Sequence, residues 1–84
     1  MTRLTVENYQ DRESLLCVYV EPLANDYWIA PGQKLTFAAE TSKPELDVIW
    51  HATGVTLWLD DADPYLISVT TEDGVEVECG FQRP

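Results

Sequence analysis

Tyr27-Trp28-Ile29-Ala30-Pro31-Gly32-Gln33-Lys34-Leu35-Thr36-Phe37 is the stretch that decides the fold class of this chain. Pro31 locks its own φ and pushes Ala30 toward an extended conformation, while Gly32 supplies the positive φ that a type II turn needs at its third position. The chain must reverse here, between two strands. Leu35 and Phe37 alternate with Lys34 and Thr36, the period of two expected when one face of a strand is buried.

Upstream, Leu4 and Val6 alternate with polar neighbours from Arg3 to Glu7, which predicts a short first strand at a sheet edge; polar Asn8 to Glu13 forms the first connection. From Ser14 to Glu21 both side-chain sets are apolar. Leu15, Cys17 and Tyr19 point one way and Leu16, Val18 and Val20 the other, predicting a central strand covered on both faces. Pro22 ends it. Downstream of Phe37, Thr41-Ser42-Lys43-Pro44 is a polar turn with a proline stop.

The next two strands are registered by their apolar faces. Leu46, Val48 and Trp50 share one face, Val55, Leu57 and Leu59 share the other strand's, and a slip of one residue would turn a whole side to water. A Thr53-Gly54 turn, or a loop from Ala52 to Val55, sets Trp50 opposite Leu57. The other face then carries His51 opposite Thr56, Ile49 opposite Trp58 and Asp47 opposite Asp60. After the acidic turn Asp60-Asp61-Ala62-Asp63-Pro64, a strand from Tyr65 to Thr71 joins Val75 to Cys79 through Glu72-Asp73-Gly74. A two-residue Asp-Gly turn would set Val69 against Glu78 and bury a charge. A three-residue loop with Gly74 left-handed sets Val69 opposite Val77 and Ile67 opposite Cys79, and is preferred. Glu76 and Glu78 discourage edge-to-edge pairing of that last strand.

About seven to eight short strands between turn signals predict an all-β fold, a small antiparallel β-sandwich or partly open barrel. The 84 residues make one domain, 1–84, without repeats or linker. A chain of this size buries little more than about 60% of its unfolded surface, which leaves scant room for a deep cleft. Fifteen Asp and Glu against five Lys and Arg give a net charge of -10, which disfavours direct nucleic-acid binding. No segment has the apolar length of a signal peptide or membrane span, so the expected setting is cytoplasmic, without membrane contact. Cys17 and Cys79 are then expected to be reduced and to face the core.

The pattern around Pro31-Gly32, with Leu35 and Phe37 following at alternate positions, resembles the corresponding stretch of cupredoxin-like sandwiches. The resemblance implies a shared architecture. A blue-copper site takes two His, a Cys and usually a Met, whereas this chain has His51 alone and Met only at position 1, so copper is excluded on ligand count. Cys17, Cys79 and His51 lack the close Cys-x-x-Cys spacing of a zinc site, so no metal and no cofactor are expected. Asp60, Asp61 and Asp63 are weak Ca²⁺ candidates whose spacing departs from the helix-flanked loop motif.

No nucleophile elbow, phosphate-cradling glycine loop or His-Glu-x-x-His motif occurs, and no catalytic residues are assigned; the chain is not expected to be an enzyme. Interest falls on an aromatic strip. Trp58, Ile49 and His51 share a face if the hairpin pairs as above, and Trp28, beside the Pro31-Gly32 turn, can join either that strip or the core. The alternative is that this face meets a second sheet and Trp50 turns outward. An outward strip predicts a non-catalytic protein-interaction module, binding a protein partner or itself as a homodimer through the strip or a free sheet edge. The alternatives are an acidic nucleic-acid mimic that blocks a basic groove on its partner, or a weak Ca²⁺- or carbohydrate-binding sandwich.

Overall fold

A computed structural model describes residues 2–9, 11, 13–40, 46–59 and 67–84. It is all-β. Seven strands form among the described residues: β1 (Thr2–Glu7), β2 (Leu16–Glu21), β3 (Asn25–Ile29), β4 (Lys34–Ala39), β5 (Asp47–Trp50), β6 (Gly54–Trp58) and β7 (Ile67–Thr71). They make two sheets, a three-stranded one in the order β1-β4-β7 and a four-stranded one in the order β3-β2-β6-β5. All pairings are antiparallel except β2 with β6. No helix among these residues is long and apolar enough to cross a membrane.

The core lies between the sheets. The four-stranded sheet contributes Leu16, Val18, Val20, Tyr27, Ile29, Val55 and Leu57, and the other sheet answers with Val6, Leu35, Phe37, Ala39 and Val69. Tyr27 and Phe37 meet edge to face with ring centroids 5.5 Å apart, a favourable arrangement of two ring quadrupoles. Both sets are the period-two faces legible in the sequence.

The Pro31-Gly32 turn forms as its residues require: Gln33 N–H donates to the Ala30 carbonyl at 2.9 Å, and Gly32 has φ +82°. It joins β3 of one sheet to β4 of the other. The reversal is therefore a corner between layers. Asn8 is fastened to it. The Asn8 N–H donates to the Gln33 carbonyl at 3.0 Å and Gly32 N–H to the Asn8 carbonyl at 2.9 Å, while Nδ2 donates to the carbonyls of Ser14 and Ile29 at 2.9 and 2.8 Å.

Several expectations need correction. β2 is central, but only its Leu16, Val18 and Val20 side meets the second sheet; Tyr19 on the other side is 41% exposed. The β5–β6 register is shifted by two residues. Trp50 pairs with Val55, Val48 with Leu57, Ile49 with Thr56 and Asp47 with Trp58, rather than Trp50 with Leu57, Ile49 with Trp58, His51 with Thr56 and Asp47 with Asp60. Faces survive a shift of two, so the division into inner and outer residues is unchanged. The cause is Gly54. It sits in β6 opposite Cys17, where a Cβ would lie 2.3 Å from the Cys17 carbonyl oxygen, so it serves the parallel β2–β6 contact and the turn moves to Ala52-Thr53.

The last connection forms as expected near its turn, with Gly74 at φ +82° and Val77 N–H donating to the Val69 carbonyl at 2.8 Å. A strand from Val75 to Cys79 does not follow. After a single bridge between Thr70 and Glu76, the chain leaves β7 and Phe81 bridges to Tyr27 in the other sheet. Cys79 is consequently exposed instead of facing Ile67, and Cys17, though buried, lies on the side of β2 away from the core cluster; neither is bridged. The turns predicted at 41–44 and 60–64, the Ca²⁺ candidates Asp60, Asp61 and Asp63, and the start of the strand at Tyr65 lie outside the described residues.

Candidate functional site

The outer face of the four-stranded sheet can be laid out from its register. One row across the strands reads Trp28, Cys17, Gly54; the next Asp26, Tyr19, Thr56, Ile49; the third Glu21, Trp58, Asp47. His51 follows β5 and is held over the sheet by a 2.7 Å hydrogen bond between Nε2 and Thr56 Oγ1. All four residues singled out from the sequence, Ile49, His51, Trp58 and Trp28, therefore belong to this one face. Ile49 is 48% and Trp58 38% exposed, while Leu57 between them in the fold is fully buried on the other side. Tyr19 completes the strip, standing between Asp26 and Thr56. It escaped notice because the apolar run of β2 gives no sign that one of its sides faces water.

The β3 end of this face is a fixed polar network. The C-terminal segment returns across β3, with Trp28 N–H donating to the Phe81 carbonyl at 2.9 Å and Gln82 Nε2 to the Trp28 carbonyl at 2.8 Å. Arg83 grips Asp26 with two nitrogens, Nε donating to Oδ2 at 2.8 Å and Nη2 to Oδ1. Trp28 Nε1 donates to the same carboxylate at 2.8 Å, and Cys79 Sγ approaches it at 3.6 Å. Trp28 is thus half-buried and tethered, the least available member of the strip.

The Arg83 guanidinium, aided by the Trp28 indole, holds the Asp26 carboxyl well below the usual carboxylate range. A carboxyl whose folded value lies below its unfolded value of about 3.9 stabilises the fold above that pH and ceases to do so as pH falls through the folded value. Asp26→Asn is therefore expected to lower stability at neutral pH and to flatten its acid dependence. Urea titrations at pH 7 and pH 3 should show wild type losing more between the two than the variant; equal losses would exclude a role for this pair.

Cys17 and His51 do not converge. Burial pushes the Cys17 thiol up, partly offset by its hydrogen bond with Tyr19. Gly54 lies between Cys17 and His51, which separates their backbones by about 10 Å at the usual strand spacing. Among the described residues no group of three or more His, Cys, Asp or Glu is placed to hold a metal ion. A shallow groove of about 350 Å³ runs beside the β7 turn, lined by Lys34, Leu35, Glu72, Val75 and Phe81 among others, with Lys34 and Glu72 paired at 3.3 Å. No cysteine or histidine is among the residues that line it. Comparison of the chain with family models, curated proteins and solved structures finds no match.

Proposed function

We propose that the chain is a non-catalytic protein-interaction module that works through the outer face of the four-stranded sheet. The supporting observation is the strip of Tyr19, Trp58 and Ile49, each more than a third exposed, with His51 beside them. Aromatic and branched apolar side chains on a rigid sheet, rimmed by Asp47, Glu21 and Asp26, have the composition of a recognition surface. A cytoplasmic setting fits two unbridged cysteines.

Capture from the native source with wild type and with Trp58→Ala and Ile49→Asp tests the reading. Both residues are exposed, so the variants should keep the β-rich spectrum and lose captured partners at least tenfold; unchanged capture would contradict it. The net charge of -10 also suits a mimic that fills a basic groove. That alternative predicts binding that weakens steeply with salt, whereas an apolar strip binds with little salt dependence.

A further inference from the structure

We propose that the chain forms a two-fold homodimer by pairing the free edge of β5 with the same edge of a second copy, antiparallel and centred on Ile49. This rests on the interaction reading above and deepens it by naming one partner.

β5 ends the four-stranded sheet. His51 N–H donates to the Gly54 carbonyl at 2.8 Å, and alternation along an antiparallel ladder then makes Ile49–Thr56 and Asp47–Trp58 the other hydrogen-bonded pairs. The N–H and C=O groups of Val48 and Trp50 point the opposite way, out of the sheet edge. Among the described residues no strand pairs with them. Every residue of β5 is exposed, Trp50 at 70%. Val48 and Trp50 lie on the inner side of the sheet, opposite Leu57 and Val55, yet are 40% and 70% exposed.

The other edges are managed. The C-terminal segment bonds to β3 through Phe81 and Gln82, and the Glu76–Val77 segment bonds to β7. β1 presents Arg3, Thr5 and Glu7 to solvent. β5 carries no lysine, proline or bulge, the usual guards of an edge.

The sequence Asp47-Val48-Ile49-Trp50-His51 is complementary to itself when reversed. Centring the pair on Ile49 sets Val48 of each copy against Trp50 of the other, forming four main-chain hydrogen bonds and covering these exposed apolar side chains. On the outer face, Ile49 meets Ile49 across the axis, and Asp47 stands opposite His51 twice. A shift by two residues in either direction sets Ile49 against Asp47 or against His51 and loses both Asp47–His51 pairs. Two-fold pairing uses up the edge, so assembly stops at the dimer. The like net charge of the copies opposes it, but at physiological ionic strength that field is screened beyond about 8 Å.

Sedimentation equilibrium of the full chain, from micromolar to near-millimolar concentration at physiological salt, tests this. Wild type should follow a monomer–dimer equilibrium. Val48→Pro deletes an outward N–H without touching a β5–β6 bond and should be monomeric throughout. His51→Glu sets two carboxylates opposite one another and should weaken self-association about tenfold; Asp47→Lys removes the acceptor opposite His51 and should weaken it by less, while their mixture should restore a heterodimer. A wild type monomeric at every concentration, or charge variants that self-associate as wild type does, would overturn the proposal even if Val48→Pro failed to fold. The two readings fail separately. A monomer that still captures partners through Trp58 removes only the dimer; a dimer whose Trp58→Ala variant captures every partner removes only the recognition face.

Discussion

Gly54→Ala is expected to cost at least about 3 kcal/mol, which in a domain whose whole stability is roughly 4–13 kcal/mol removes between about a quarter and three-quarters of it. Alanine's Cβ would fall 2.3 Å from the carbonyl oxygen of Cys17 and 3.3 Å from its carbonyl carbon. Both are backbone atoms, so no side chain can swing aside. Relief requires β6 to move away from β2 along the ladder that joins Cys17–Glu21 to Gly54–Trp58. That shift would loosen Val55 and Leu57, which are fully buried between the sheets, and packed interiors resist such displacement. Urea unfolding followed by tryptophan fluorescence measures the loss. A variant within 1 kcal/mol of wild type would mean that β2 and β6 are not paired in this register.

Asn8→Ala is expected to cost about 2–4 kcal/mol, because it strips the only described side-chain donor from two carbonyls, those of Ser14 and Ile29. Asn8 is 1% exposed, so water does not replace the lost partners without rearrangement. Its position explains the size of the effect. One side chain and its own peptide groups join the β1–β2 connection, the end of β3 and the Pro31-Gly32 corner, where the chain passes between layers. Asn8→Asp should be worse at neutral pH, since a carboxylate would face two carbonyl oxygens with no N–H to offer. Burial and those acceptors would raise its pKa, so the penalty should grow as pH rises above about 4 and shrink below it. Thermal melts of both variants across that range would show it; an aspartate variant as stable as wild type at pH 7 would exclude the buried donor role.

The strands and turns were legible where chemistry is local. Pro31-Gly32 allows few backbone paths, and Gly74 permits the one loop that keeps Glu78 out of the core, so both turns could be placed before their surroundings were known. Alternation also separates Leu57 from Trp58 and Val48 from Ile49, which gathers Ile49, His51 and Trp58 on a common face; it left Trp28 open between that strip and the core. Pairing partners were a different matter. Period two is blind to a slip of two residues, and the real β5–β6 register depends on Gly54 meeting Cys17, a contact between strands far apart in sequence. The same limit hid the parallel β2–β6 ladder, the exposure of Tyr19 and the return of the last residues to Asp26 and Trp28. Val77 and Cys79 carry the alternation of a strand, yet Gly80 and Arg83 draw the chain to β3, where Gly80 N–H bonds the Asp26 carbonyl at 2.6 Å. Asn8 gave no signal, because a single polar residue in a polar connection looks solvated until its partners are known.

Ile49, Thr56 and Trp58 stand on the two strands nearest the β5 edge, so a dimer formed through β5 would join the two outer faces into one continuous surface around them. Amide hydrogen exchange along β5, followed residue by residue as protein concentration rises, tests this picture most directly. The Ile49 amide, bonded to β6, should be protected at every concentration. Those of Val48 and Trp50 should exchange freely when dilute and become protected as copies pair. Protection of Ile49 lost at all concentrations would contradict the β5–β6 register, and Val48 and Trp50 amides that stay unprotected in concentrated protein would contradict the β5 dimer.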